Sequence, residues 1–360
     1  MKNKRIGIGF IGSGWITEKA HIPSFLKSER VDIVAVCDCD LQKAIMLQEK
    51  YPVKKVYDQA ELLLGDPDVD AVVIATPNFT HYPLTKAALL AGKHVLCEKP
   101  IALSSFEVSQ LIEIATLNKT LFLPAFVNRF RDDVTLVREL LQDGIIGKTL
   151  GVEAKWLRKA GIPRPGSWFT QKKQSGGGVL MDLGPHILDL ALNCVDFDRL
   201  NRAQLSCSYD YDKHRKTEAT WYDAASQCTT EMDLETGIVG LLDINDNIPV
   251  SIEVSWLSDI ENDMTYLKVS GEDGSIVLKS LFGFSPNRLW SSDEIVVKGN
   301  NDQILYSQQF DATREAALYA FEQMAHFFIS SIQGSEKSTL RDADGFNVTY
   351  LIEELYRHQN

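Results

Sequence analysis

The 360-residue chain is long enough for two domains with separate cores. Its 44% hydrophobic and 24% charged content is that of an ordinary water-soluble protein. A net charge of −12, with no basic run longer than the Lys2–Arg5 cluster, argues against nucleic acid or an anionic membrane surface as the main partner, while leaving room for a local cationic pocket.

Residues 5–11 alternate small and β-branched side chains and read as a buried strand. Gly12-Ser13-Gly14 follows, then a helical pattern over residues 15–28. Strand, Gly-x-Gly turn and helix together form a dinucleotide fingerprint. The glycines permit a tight turn and close approach of a pyrophosphate, and the helix N-terminus offers that anion free N–H groups and a positive dipole end. Thr17 stands where the third glycine of the pattern belongs, and a bare Gly-x-Gly also occurs in many ordinary turns. Residues 31–37 predict a second strand with Asp38 at its end. That is close to the roughly 20-residue separation expected for an acidic residue holding the adenosine ribose hydroxyls. Cys39 and Asp40 come next, not Arg or Lys, so a 2′-phosphate would meet carboxylates and NAD is favoured over NADP. Asp38 also suits a helix cap, although Asp40 is better placed for that role.

The alternation continues through a helix at 41–50, a short strand at 54–57, a short helix at 59–64 and a buried strand at 69–75. Thr76-Pro77-Asn78 breaks that strand, and Thr80 is expected to cap a helix stopped by Gly92. A strand at 94–97 ends in Glu98-Lys99-Pro100, before a helix at 105–118 and a strand at 121–127. This βα rhythm predicts a parallel, doubly wound sheet whose ligands lie off the carboxyl ends of the strands. Those ends carry Gly12, Asp38, Thr76, Asn78, Glu98, Lys99 and Asn128. Beyond about residue 128 the pattern changes to a helix at 131–142 and long alternating runs at 150–157, 203–209, 227–234, 239–244, 251–257, 265–270 and 275–278. Glu272-Asp273-Gly274 between the last two is a hairpin signal, and two helices, at 312–331 and 341–358, end the chain. These runs predict a mostly antiparallel open sheet, one face covered by the helix that follows Gly178 and by the neighbouring domain.

Gly176-Gly177-Gly178 leads into Asp182 and His186, four residues apart. On a helix that spacing puts both on one face, where a carboxylate favours the imidazolium and orients the ring, as a general base requires. The glycines let backbone or a ligand come close, while Gly184 and Pro185 place the pair in a first turn or at a kink. An ordinary helix start, with Asp182 as cap and His186 as packing, fits the segment alone equally well. The six cysteines contain no Cys-x-x-Cys pair, and Cys37-x-Cys39 has no flanking ligands, so reduced thiols, no metal and a cytoplasmic location are expected. The N-terminus is basic and then apolar, but too glycine-punctuated for a signal peptide. No apolar stretch nears the roughly 20 residues that span a bilayer.

Taken together, Gly12-x-Gly14, Thr76-Pro77-Asn78 with His81, Glu98-Lys99-Pro100, and Gly176-Gly177-Gly178 with Asp182-x-x-x-His186 resemble the Gfo/Idh/MocA oxidoreductases over nearly the whole chain. The resemblance implies an NAD(P)-binding Rossmann domain over 1–128 and a C-terminal α/β domain over 129–360, with a large open sheet that serves as a homo-oligomer interface. It implies cofactor contacts from Gly12, Ser13, Gly14, Trp15, Ile16, Asp38, Thr76, Pro77, Asn78, His81, Glu98, Lys99 and Asn128, and catalysis by Lys99, Asp182 and His186 on a sugar or cyclitol hydroxyl. The family also includes NADP users, and Trp15 beside the pyrophosphate turn is an unusual residue there. In the expected reaction a hydride leaves a secondary alcohol carbon, His186 takes the hydroxyl proton, Asp182 steers the ring and Lys99 donates to the same oxygen. Keto-sugar reduction, dihydrodiol oxidation and a non-catalytic NAD sensor are the rival readings.

Weaker expectations attach to other residues. His81 serves as a local cap or a cofactor contact, and Trp168 as pocket wall or core. Arg129, Arg158 and Arg164 are candidates for a hydroxyl-rich or phosphorylated substrate. His21 and His94 are expected to be structural, His326 packed in its apolar helix, and His214 and His358 exposed. Phe321, Phe327 and Phe328 are expected to pack between helices.

Overall fold

The computed structural model describes residues 5–163, 166–210, 232–334 and 342–359. The chain forms two compact units: Met1–Val127 with Leu318–Thr349, and Asn128–Ala317 with Tyr350–Asn360. The sequence placed everything beyond 128 in the second domain, whereas part of the two C-terminal helices belongs to the first unit.

In the first unit, strands β1 (Ile6–Ile11), β2 (Val31–Cys37), β3 (Lys55–Tyr57), β4 (Ala71–Ile74), β5 (His94–Cys97) and β6 (Phe122–Pro124) form one sheet in the order β3-β2-β1-β4-β5-β6. Every pairing is parallel. The central strands are apolar on both faces, which a parallel sheet sandwiched by helices requires. Helices α1 (Ile22–Leu26), α2 (Leu41–Lys50), α3 (Ala60–Leu64), α4 (Asn78–Leu90) and α5 (Ser105–Asn118) make the crossovers. The strand order reverses between β1 and β4, and such a switch point leaves a crevice at the strand carboxyl ends.

The helix expected over 15–28 is continuous over residues 15–26, with a π-helical turn, Thr17–His21, inside it and α1 completing it. One local expectation differs. Helix α4 begins at Asn78, so Thr80 lies inside its first turn and folds its hydroxyl back onto the Pro77 carbonyl at 2.6 Å. Asp40 caps α2 as expected, accepting from the Gln42 N–H at 3.2 Å.

The second unit contains α6 (Asp132–Gln142), β7 (Thr149–Leu157), the short helices α7 (Lys172–Ser175) and α8 (Val179–Asp182), and α9 (Gly184–Leu192). Strands β8 (Leu200–Ser208), β9 (Gly237–Ile244), β10 (Ile248–Ser255), β11 (Met264–Gly271), β12 (Gly274–Ser280), β13 (Asp293–Gly299) and β14 (Ile304–Phe310) follow. The eight strands run β14-β13-β12-β11-β7-β10-β9-β8, antiparallel except where β10 meets β7. β11, β12 and β13 alternate strictly, with Leu267, Val269, Ile276, Leu278, Ile295 and Val297 fully buried. Helix α9 is buried all round from Gly184 to Ala191 and packs on β7 and β10; α6 packs on β12 and β13. Strand β14 gives no sequence signal because none of its residues is buried. The strand expected at 227–234 falls largely outside the described residues.

The closing helices are α10 (Arg314–Ile332) and α11 (Asp342–Arg357). Phe321, Phe327 and Phe328 are buried, but His326 is exposed: it falls on the solvent side of α10, between Ala325 and Phe327, which face inward. No helix among the described residues is long and apolar enough to cross a membrane.

Candidate functional site

The first unit gathers its polar groups at the carboxyl ends of the strands. Gly12 ends β1 with φ +99°, and a Cβ there would stand 2.2 Å from the Ala75 carbonyl oxygen, so only glycine makes this turn. The Ser13 N–H donates to Asp38 Oδ2 at 2.8 Å, and the Asp40 N–H to Oδ1 at 3.0 Å. Asp38 is thereby held against the glycine turn. Around Gly14 nothing lies within 4 Å of where a Cβ would be, which leaves open room over the turn for a phosphate to approach. Thr17, in place of the third glycine, is buried and donates its hydroxyl to the Gly12 carbonyl at 2.7 Å, bracing the turn through its side chain. Trp15 and Ile16 beside it are half-buried.

At the ends of β4 and β5, His81 is 1% exposed. Its Nδ1 lies 2.6 Å from the Pro100 carbonyl oxygen and its Nε2 2.7 Å from that of Thr76. Burial pushes its pKa below the ordinary histidine value against the pull of both carbonyls. The ring thus lies between the Thr76-Pro77 and Lys99-Pro100 turns, and in its neutral form it donates its single N–H to one of the two carbonyls. Glu98 Oε1 pairs with Nε2 of His21 at 2.8 Å, and its Oε2 accepts the Lys99 N–H at 3.2 Å. The buried His21 ring meets Phe321 edge-on at 5.3 Å, which makes it structural as expected.

In the second unit the chain breaks between Asp182 and His186, where a kink was expected: two helices meet at Leu183, Asp182 closing α8 and His186 in the first turn of α9. The break follows from Gly184 and Pro185. His186 is 9% exposed, its Nδ1 lies 3.2 Å from Nδ2 of Asn128, and its ring is 5.6 Å from that of Trp156. Asn128, expected at the cofactor, is thus placed beside the imidazole. The Asp182 Oδ2 accepts the indole N–H of Trp256 at 2.9 Å. Two of the three glycines make room for protein: a Cβ on Gly177 would stand 2.1 Å from the Tyr356 hydroxyl, and one on Gly178 2.2 Å from the Glu235 carbonyl oxygen; Gly176 closes α7 at φ +88°.

Arg129 grips Asp189 through Nε, at 2.8 and 3.0 Å, with both side chains largely buried, so this arginine anchors α9. The Arg158 guanidinium stacks 4.8 Å over the Trp156 ring. Trp168 is half-buried and stacks on Phe169 at 3.8 Å. Arg164 and His214 lie outside the described residues.

The comparisons with known proteins agree across the chain. Residues 6–126 match the family described as an oxidoreductase family with an NAD-binding Rossmann fold, and residues 134–277 match the Gfo/Idh/MocA C-terminal domain. A putative UDP-kanosamine synthase oxidoreductase subunit of Amycolatopsis mediterranei is 31% identical over 77% of this chain and 76% of its own. The chain belongs to the Gfo/Idh/MocA oxidoreductases. D-glucoside 3-dehydrogenase of Escherichia coli is 27% identical over 99% of this chain and 96% of its own. The structure of levoglucosan dehydrogenase with NADH and levoglucosan superposes with a TM-score of 0.81, covering 99% of this chain and 97% of that one; at 19% identity this is a likeness of fold. As a Gfo/Idh/MocA member the protein is an NAD-dependent oxidoreductase acting on CH–OH groups.

For this Gfo/Idh/MocA chain, sequence reasoning missed Asp189, Glu235, Trp256 and Tyr356. Asp189 carried a usable signal, an acid three residues past His186 on an otherwise apolar helix. The other three carried none, because their partners lie far away in sequence.

Proposed function

We propose that this protein oxidises a secondary hydroxyl of a sugar or cyclitol, with His186 as general base, Lys99 as the donor to the reacting oxygen and Asp182 as the carboxylate that conditions the base. The observation that supports the chemistry best is His186 itself: an imidazole in a mostly buried first turn, met at Nδ1 by a carboxamide and four residues from a carboxylate. A carboxamide end offers a donor and an acceptor, so a half-turn of Asn128 matches either tautomer of the ring. The base role uses the neutral ring, whose unprotonated nitrogen takes the substrate proton. Lys99 follows Glu98 on a turn held by His81 and His21, so its backbone is fixed while its amine supplies charge to a developing alkoxide.

The residues of the glycine turn suit NAD: open room over Gly14, and Asp38 held beside the turn where ribose hydroxyls bind. NAD, when bound, supplies the hydride acceptor. The sugar class is supported by relatives named for D-glucoside and levoglucosan oxidation. Copies of the chain are proposed to associate through the open sheet face that exposes Val239 and Leu241, and to act in the cytoplasm. The test is NADH formation on a panel of glycosides, anhydrosugars and inositols, with Lys99→Ala and His186→Ala alongside. Each variant should lose turnover by orders of magnitude while NAD still binds. Undiminished turnover removes that residue from the mechanism, and NAD binding without turnover on any polyol favours a sensor.

A further inference from the structure

The turn that presents Asp182 is four residues long, far too short to hold its own shape. It is held at both ends by the strand pair β9–β10. At the front, Oε1 of Glu235, two residues before β9, accepts the Gly178 N–H at 2.8 Å and the Leu180 N–H at 3.3 Å. The Tyr356 hydroxyl donates to the same oxygen at 2.5 Å, and the Val179 N–H to the Glu235 carbonyl at 3.0 Å. At the rear, Trp256 follows β10 and is fully buried. Its own N–H is fixed on the Thr236 carbonyl at 2.8 Å, and its indole N–H reaches Asp182 Oδ2 at 2.9 Å. β9 and β10 are in register from Gly237↔Ser255 onward, so the two anchors sit side by side at one end of the same ladder.

We propose that Trp256 is a positioning residue for the reaction, fixing the rotamer of the Asp182 carboxylate so that it stays in the geometry His186 needs. The inference rests on the catalytic reading of Asp182 and His186 given above. An indole is a donor only, so this bond has one polarity and is made to a carboxylate, the stronger kind of hydrogen bond. A side chain kept only for bulk would not require its one polar atom to end on the one carboxylate in α8. The Glu235 anchor sets where the turn lies; the Trp256 anchor sets which way the acid points.

The experiment is a double-mutant cycle on the whole enzyme, with Trp256→Phe and Asp182→Ala singly and together. Trp256→Phe should lower kcat roughly ten- to a hundredfold, the range for a lost hydrogen bond to a charged group. The dissociation constant for NAD should stay unchanged. In the Asp182→Ala background the same change should cost less than about twofold, because the acceptor is already gone. To keep the test independent of packing, Trp256 is also replaced by 3-benzothienylalanine, which keeps the bicyclic ring and lacks the N–H; it should reproduce the loss in kcat with an unaltered melting temperature. Equal losses in both backgrounds, or full activity with the benzothienyl ring, overturn the role of Trp256. Undiminished turnover in Asp182→Ala overturns the catalytic reading of Asp182 instead, and the role of Trp256 falls with it.

Discussion

Arg131, three residues beyond Asn128, offers a quantitative test of what anchors this part of the second unit. Its guanidinium is 8% exposed and bonds Asp133 at 2.9 and 2.8 Å, Ser280 Oγ at 3.0 Å and Asp293 Oδ2 at 2.8 Å. It also lies 4.8 Å over the Phe282 ring, while Arg288 joins Asp293 from the other side. Burial alone would pull the Arg131 pKa down; Asp133 and Asp293 outweigh it and hold the group charged. Replacing Arg131 with Met keeps much of the stem, takes the cation from Asp133 and leaves Asp293 to Arg288, with the two carboxylates 2% and 1% exposed. Breaking a buried pair from one side costs about 3–5 kcal/mol, so urea unfolding near pH 7.5 should show a loss of about 4 kcal/mol. The pH dependence has a definite sign. Burial already raises the Asp293 pKa, and Arg131 is the largest influence opposing that rise. Without Arg131 the folded-state value climbs further above the unfolded one. Such a group favours the fold below its unfolded pKa and loses that contribution as pH rises through the folded value. The variant's deficit should therefore shrink between about pH 7.5 and pH 5. A deficit under about 1 kcal/mol, or one equal at both pH values, would refute the account.

Two further outcomes follow from the mount of α8. Gly178→Ala puts a methyl 2.2 Å from the Glu235 carbonyl oxygen, so the backbone must move; about 3 kcal/mol of stability should be lost along with activity, and a melting temperature within about 2 °C of wild type would count against the close approach. Glu235→Gln keeps an acceptor at Oε1 for its three donors and should fold normally, whereas Glu235→Leu should lose about 2–4 kcal/mol. Because burial raises the Glu235 pKa, its protonated carboxyl group favours the fold at low pH and that contribution is lost as pH rises, so Glu235→Gln should gain on wild type with rising pH; parallel stability curves would contradict it.

What the sequence determined by itself was everything carried by local pattern. β2 and α2 match their expected bounds because apolar periodicity and the Asp40 cap act over a few residues. Gly12 and Asp38 were legible because the turn and the strand end that place them are local features. His326 was misplaced although its phase is legible: it stands three and four residues from Gln323 and Glu322, on the less buried face of α10. The site's supports belong to tertiary structure alone. Gly177 and Gly178 look like a ligand cradle until Tyr356 and Glu235 occupy the space over them. Nothing in the sequence shows that Asp182 also receives the indole N–H of Trp256, from a strand end 74 residues on. Residue type and spacing show which groups are able to react; only the packed chain decides what holds each of them, because a hydrogen bond is made between neighbours in space, and those neighbours lie far apart in sequence.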